Sequence, residues 1–250
     1  MTTGIPDIRA RSPGDVVVRF EGVRKAFGAG ARRNAVYEDL ALEIRKGEVL
    51  TIMGGSGTGK SVLLKLLVGL LKPDAGRILV DGIDIAGYSE DDLLPVRRQI
   101  GMVFQGAALF DSLSVYENVA YPLREHFSWP EERISQTVAE KLALVGLPGV
   151  EKMRPGDLSG GMRKRVGLAR ALATGADVIL YDEPTTGLDP TNTRRINELI
   201  QSVNEKLGVT SVVVTHDMQS AFEVSDRLAM LWDRRIVWTG SVDEARAGTD

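Results

Sequence analysis

The chain contains no cysteine, which excludes disulfides and thiolate metal sites and fits a reducing compartment. Long apolar runs are missing too. The strongest, Val62 to Leu71, is broken by Lys65 and falls far short of the roughly 20 residues that span a bilayer. If the protein works at a membrane, another component anchors it. The first fourteen residues carry arginines but no apolar stretch that would make a signal peptide. Charge is nearly balanced, with 31 Lys and Arg against 34 Asp and Glu and a net charge of −3. Neither nucleic acid nor an anionic lipid surface is therefore indicated as the main ligand. There is no internal repeat and no low-complexity segment. What remains is 250 residues, 43% hydrophobic and 26% charged, enough for one large domain or a core with an inserted subdomain.

Residues 1–14, with Pro6, Ser12, Pro13 and Gly14, are expected to form a loose tail. Short alternating or β-branched runs follow at Val16–Val18, Leu40–Ile44, Val49–Met53 and Arg77–Val80, the last closed by the turn pair Asp81-Gly82. Val178–Tyr181 and Val212–Val214 are apolar on consecutive residues, as in parallel strands buried on both faces. Ser128 and Glu131 suggest a capping box, with Ile134, Val138, Leu142 and Val145 at helical spacing behind it. A second helix is expected from Ser159 to Ala173. The pattern predicts an α/β fold: a mostly parallel core, an N-terminal antiparallel β layer, and a helical insertion at about residues 90–165. One domain is expected over 15–240, with 241–250 as a C-terminal tail.

Gly54-Gly55-Ser56-Gly57-Thr58-Gly59-Lys60-Ser61 fits G-x-x-x-x-G-K-[ST] and lies between a strand and a helical run, where a phosphate-binding loop belongs. Glycines let the backbone N–H groups turn inward onto phosphate oxygens, and the helix N-terminus adds positive potential. Lys60 would reach the β- and γ-phosphates of a nucleotide, and the Ser61 hydroxyl would hold Mg²⁺. The dinucleotide pattern G-x-G-x-x-G fails in every register, because Lys60 occupies the last glycine position. Val178–Tyr181 ends in Asp182 and Glu183. Asp182 can meet the Mg²⁺ held by Ser61, and Glu183 is the candidate for polarising an attacking water. Such an acidic strand end is common by itself; beside a phosphate loop it gains weight.

Leu158-Ser159-Gly160-Gly161-Met162 opens a helix and forms a second, lysine-free anion site. One chain cannot easily wrap both sites around one γ-phosphate, whereas two chains packed head to tail can. At this point the sequence resembles the nucleotide-binding subunits of ABC transporters, over nearly its whole length. The resemblance implies a P-loop NTPase (RecA-like) core, ATP and Mg²⁺ as ligands, and hydrolysis of ATP by a homodimer. It also implies that Phe27 stacks on adenine, that Gln105 contacts Mg²⁺ and water, and that Asp189 in Gly187-Leu188-Asp189-Pro190 crosses the dimer interface. His216 would sense the γ-phosphate. Each residue alone has a structural explanation; six motifs in one order do not arise by chance. Met162 departs from the family's usual glutamine and cannot donate a hydrogen bond. The run Arg163-Lys164-Arg165 is expected on a solvated helix face, and His126 at the surface.

The segment from Gly106 to His126 is similar to that of ATPases from bacterial phospholipid transporters that use an MCE-domain protein. This resemblance implies a transmembrane permease and an MCE protein as partners, no direct nucleic acid, and a place at the cytoplasmic face of the bacterial inner membrane. It also implies a further dimerising C-terminal segment in close relatives. An amino-acid importer or a cell-division signalling complex shares much of the same skeleton. Non-transport ABC ATPases carry long coiled coils or two cassettes, and neither is found in this sequence.

Overall fold

The computed structural model describes residues 5–28, 30 and 34–248. Strands and helices are numbered in chain order. Val16–Phe27 (β1), Asn34–Arg45 (β2), Ala75–Val80 (β4) and Ile83–Asp84 (β5) form an antiparallel sheet in the order β2-β1-β4-β5. Val49–Met53 (β3), Val178–Asp182 (β7) and Thr210–Thr215 (β8) are buried at every position, as parallel strands covered on both faces must be. With Ile100–Val103 (β6), Arg227–Trp232 (β9) and Arg235–Ser241 (β10) they make a six-stranded sheet, β10-β9-β3-β8-β7-β6. Every pairing in it is parallel except that of the edge strand β10 with β9.

Helices Lys60–Leu67 (α1) and Glu90–Arg98 (α2) follow the first strands. Val115–His126 (α3), Glu131–Leu144 (α4) and Gly160–Ala173 (α5) pack together through Val115, Val119, Leu123, Ile134, Val138, Leu142 and Val166. Pro190–Leu207 (α6) and Met218–Val224 (α7) complete the helical cover. Side chains satisfy the open N–H groups at several helix starts: Ser114 with Glu117 on α3, Ser159 on α5 and Asp189 on α6.

Four expectations need correction. The loose tail does not extend over residues 6–14: Pro6 is buried and Ile8, in a 3₁₀ turn, is fully buried. The Gln99 side chain accepts from Ile8 N–H at 2.9 Å and donates to the Pro6 carbonyl at 2.6 Å, so an apolar anchor and paired backbone groups hold this segment down. Within the expected tail 241–250, the described residues 241–248 are not unstructured. Ser241 and Glu244 form a capping box that starts a helix, Val242–Ala247 (α8). The helical insertion does not begin near residue 90, because β6 belongs to the core sheet beside β7. A Cβ at Gly101 of β6 would lie 2.6 Å from the Ala171 carbonyl, so glycine lets α5 approach this strand. Finally, Pro130 rather than Ser128 precedes α4, and no side-chain cap is made. Glu131 instead accepts from the Tyr116 hydroxyl at 2.6 Å and pairs with Arg124.

Candidate active site

The loop 54–59 leaves β3 and enters α1 through Gly59, whose φ of 106° suits only glycine. A Cβ there would also meet Val36 Cγ1 at 2.4 Å. Next to it, the Tyr37 hydroxyl donates to the Gly59 carbonyl at 2.7 Å, tying β2 to the loop. Lys60 is buried, and its Nζ donates to the carbonyls of Gly54 (2.8 Å) and Gly55 (3.0 Å) while lying 3.5 Å from Glu183 Oε1. A cleft of about 340 Å³ opens above it, lined by Ser56, Gly57, Gly59, Lys60, Ser61, Val62, Gln105, Glu183 and His216. That is within the usual size of a small-ligand site.

Ser61 Oγ donates to Asp182 Oδ1 at 2.7 Å. A hydroxyl and a carboxylate oxygen, completed by phosphate oxygens and water, are the hard donors that Mg²⁺ takes, so these residues fit the ion. Among the described residues no group of three His, Cys, Asp or Glu can cage a metal unaided. Any such ion would need water or substrate oxygens to complete its shell.

Glu183 follows β7 with φ = 49°, a left-handed conformation that costs a non-glycine residue about 1–2 kcal/mol. Its N–H donates to the Val214 carbonyl of β8 at 2.9 Å. Its carboxylate accepts from Thr186 Oγ1 (3.1 Å) and Thr215 Oγ1 (3.2 Å) and lies 2.9 Å from His216 Nδ1. Burial pushes this carboxyl up, but hydrogen bonding and charge from His216, with Lys60 and Thr186, outweigh it and hold the group below the usual Glu range.

The structure thus brings Lys60, Ser61, Gln105, Asp182, Glu183 and His216 together. Phe27 is not among the side chains lining the cleft; it ends β1, 42% exposed, with Lys25 Nζ 5.4 Å from its ring centre. Leu158, Ser159, Gly160 and Gly161 also stand apart from the cleft. Leu158 is buried, and Ser159 Oγ accepts from Met162 N–H at 3.2 Å. A Cβ on Gly161 would meet Asn192 Oδ1 at 2.9 Å. Asp189, exposed, accepts from the Asn192 N–H at 3.0 Å. That backbone bond, with the Asn192 side chain, holds its carboxyl below the usual range.

The basic run after Met162 is not a uniformly solvated face. Lys164 is buried and donates to the carbonyls of Thr186 (2.8 Å) and Glu183 (3.3 Å), while Arg165 donates to those of Val145 and Gly146. Burial pulls the Lys164 ammonium below the usual lysine range, and the Glu183 charge opposes this. The sequence carried a signal for it. Gly161, Lys164, Leu168 and Leu172 recur at helical spacing, on the stripe that α5 buries. His126 is only half-exposed, and burial, then Arg98, lower its pKa. Tyr37, Thr186 and Thr215 were also not singled out by the sequence.

On the far side of β6, the loop after Gln105 turns through Ala107 (φ 63°) and Ala108 (φ 47°). Arg170 near the end of α5 donates to both of their carbonyls, at 2.9 and 2.8 Å. A second cleft, about 370 Å³, lies here, with Phe104, Phe110, Tyr121 and Arg170 among its lining. Phe110 and Tyr121 are 45% and 44% exposed, with ring centres 5.1 Å apart.

Comparison with known proteins places this geometry in a family. A family model described as ABC transporter matches residues 37–186. A probable ribonucleotide transport ATP-binding protein of Mycobacterium leprae is 46% identical over 230 residues, which are 92% of this chain and 65% of that protein. The chain thus spans somewhat under two thirds of that relative's length. A methionine import ATP-binding protein of Rhodococcus jostii is 45% identical over 90% of this chain and 66% of its own. The intermembrane phospholipid transport system ATP-binding protein of Escherichia coli K12 is 43% identical over 90% of this chain and 83% of its own length. The ATP-binding cassette MJ0796, solved as a dimer in a post-hydrolysis state with ADP and Pi, superposes with a TM-score of 0.83 at 34% identity. That match covers 90% of this chain and 98% of the other. Together with the phosphate loop and the acidic strand end beside it, these matches show that the chain belongs to the ATP-binding family of ABC transporters.

Proposed function

We propose that this chain binds and hydrolyses ATP as a homodimer and powers phospholipid transport through a partner permease and an MCE-domain protein at the inner membrane. The observation that carries the catalytic part is the convergence of Lys60, Ser61, Gln105, Glu183 and His216 on one cleft, with Asp182 bonded to Ser61. In this reading Lys60 exchanges its loop carbonyls for phosphate oxygens, a charge-assisted contact. Ser61, Asp182 and Gln105 would hold Mg²⁺, which would supply positive charge to offset that of the β- and γ-phosphates. Glu183, ionised and aimed by Thr186, Thr215 and His216, polarises the attacking water and takes its proton. The Ser159–Gly161 helix start, remote from its own chain's cleft, serves the partner copy's nucleotide, and Asp189 lies at that seam.

In the same proposal a helix of the permease docks on the segment Leu109–Leu123, through Phe110 and Tyr121, exposed aromatics beside a cleft adjoining the Gln105 loop. Val115 and Leu123 of the same segment are core residues, so the groove is built from its exposed members alone. Phospholipid as cargo follows from the likeness to the phospholipid transport relative, whereas the ribonucleotide and methionine relatives differ in cargo from it and from one another.

The test compares two variants. Glu183→Gln should keep ATP binding and slow hydrolysis by roughly 10²–10⁴, the usual worth of a positioned base. Lys60→Ala should weaken binding itself. A Glu183→Gln protein that turns over at the wild-type rate removes the base assignment. Co-purification with the membrane partners, followed by lipid extraction, tests the cargo: a complex with neither MCE protein nor lipid removes that part alone.

A further inference from the structure

Lys164 is a buried cation that the chemistry above does not use. Its stem lies within the packed face of α5, and its ammonium bonds two main-chain carbonyls, Thr186 at 2.8 Å and Glu183 at 3.3 Å. Burying an ammonium is costly unless its donors are satisfied. Here two of its three donors are met, by the two ends of a single short turn. That turn begins with the left-handed backbone of Glu183 and contains Thr186, whose hydroxyl donates to the Glu183 carboxylate. On its other side Glu183 is fixed by the bond from its N–H to Val214. The peptide flanks of Glu183 are thus gripped from β8 on one side and from α5 on the other.

We propose that Lys164 is a positioning residue for hydrolysis: by bonding the carbonyls of Glu183 and Thr186 it holds the 183–186 turn closed and aims the Glu183 carboxylate into the nucleotide cleft. This inference rests on the reading of Glu183 as the base. Without the ammonium the turn keeps its own bond, from Thr186 N–H to the Glu183 carbonyl at 3.3 Å, and the bond to Val214, so the carboxylate is less firmly aimed at Thr215 and His216. A displacement of about 1 Å in a reacting group can cost 10²-fold in rate.

The experiment uses the full chain and separates binding from turnover. Lys164→Met keeps the stem and removes the donors; kcat should fall about 10–100-fold, while the Kd for a fluorescent ATP analogue stays within about twofold. Lys164→Gln, one bond shorter and able to reach only one carbonyl, should fall in between, about 3–10-fold, again with unchanged binding. In a Glu183→Gln background, Lys164→Met should add no further loss, because the group it positions is already gone. Folded Lys164→Met with wild-type kcat overturns the proposal, and so does an equal loss superimposed on Glu183→Gln. Should Lys164→Met not fold, wild-type kcat in Lys164→Gln overturns it instead. The two readings fail separately: a fast Glu183→Gln protein removes the base, whereas a slow Glu183→Gln with a fast Lys164→Met removes only the positioning role.

Discussion

Asn118→Ala removes the side chain that holds the Phe110 turn. Asn118 is fully buried. Its Oδ1 accepts from Phe110 N–H at 2.8 Å, and its Nδ2 donates to the carbonyls of Phe110 (3.1 Å), Leu113 (3.3 Å) and Ser114 (3.0 Å). Not every partner is orphaned by the change. The Phe110 carbonyl keeps the Leu113 N–H at 3.1 Å, and the Ser114 carbonyl keeps the Asn118 N–H at 2.9 Å. The Phe110 N–H and the Leu113 carbonyl are the groups that lose a side-chain partner without such a replacement. Two bonds at a net 0.5–1.5 kcal/mol each give about 1–3 kcal/mol. Water can reach this turn, since Phe110 is 45% exposed, and that keeps the cost near the middle, about 2 kcal/mol. In a domain of this size 1 kcal/mol moves Tm by about 2–4 °C, so the variant should melt about 4–8 °C lower. Function should be affected selectively. On the docking proposed above, the folded variant should still bind ATP while stimulation of hydrolysis by the permease falls, because Phe110 is no longer held. Thermal unfolding and ATPase assays with and without reconstituted permease measure both halves. Melting that coincides with wild type would refute the bonding argument. A lower-melting variant with full stimulation would refute the claim that a fixed Phe110 matters for docking.

Gly59→Ala combines a φ of 106° with a Cβ placed 2.4 Å from Val36 Cγ1. It should cost about 2–5 kcal/mol from backbone strain and overpacking, read as a lower urea midpoint, and should weaken ATP binding; a wild-type midpoint would contradict this. Ser159→Arg should abolish Mg-ATP-driven dimerisation of the Glu183→Gln protein in sedimentation runs while leaving monomeric ATP binding intact; persistence of the dimer would count against a shared site. For pH, the folded Glu183 carboxyl lies below its ordinary value. Its ionisation therefore contributes stability that is fully present above the unfolded value of about 4.3 and lost as pH falls through the lower folded value. The stability gap between wild type and Glu183→Gln should accordingly close on acidification, and a gap that widened in thermal melts would oppose the reading.

Motifs defined by spacing were legible because the backbone itself performs their task. The glycines of 54–59, the strand before them and the acids closing β7 are local patterns, and the fold places them as the pattern requires. Contacts made across the chain left no such trace. Tyr37 on β2 meets Gly59 only because two sheets close on each other, and Thr215 reaches Glu183 from a neighbouring strand. β6 escaped notice because four residues including Gly101 give too short a run to distinguish from a loop. Lys164 was read by its charge, which favours solvent, when its position on the helical stripe was the stronger statement. Ile8 was hidden among prolines, serine and glycine, whose turn-forming character outweighed one apolar side chain.

Helix α5 touches three separate parts of the molecule along one rigid axis. Ser159 caps its start, Lys164 bonds the Glu183 turn from its second turn, and Arg170 near its end grips the two left-handed alanines beside Phe110. Its 14 residues amount to a rod of about 21 Å. A rod cannot move at one end alone. A push along the axis at Ser159 would be passed to the Glu183 turn and to the aromatic groove through the helix itself, without contacts having to loosen and re-form between them. Mechanically, the helix is a piston whose stroke is shared by everything bolted to it, and its stiffness sets how much of that stroke survives.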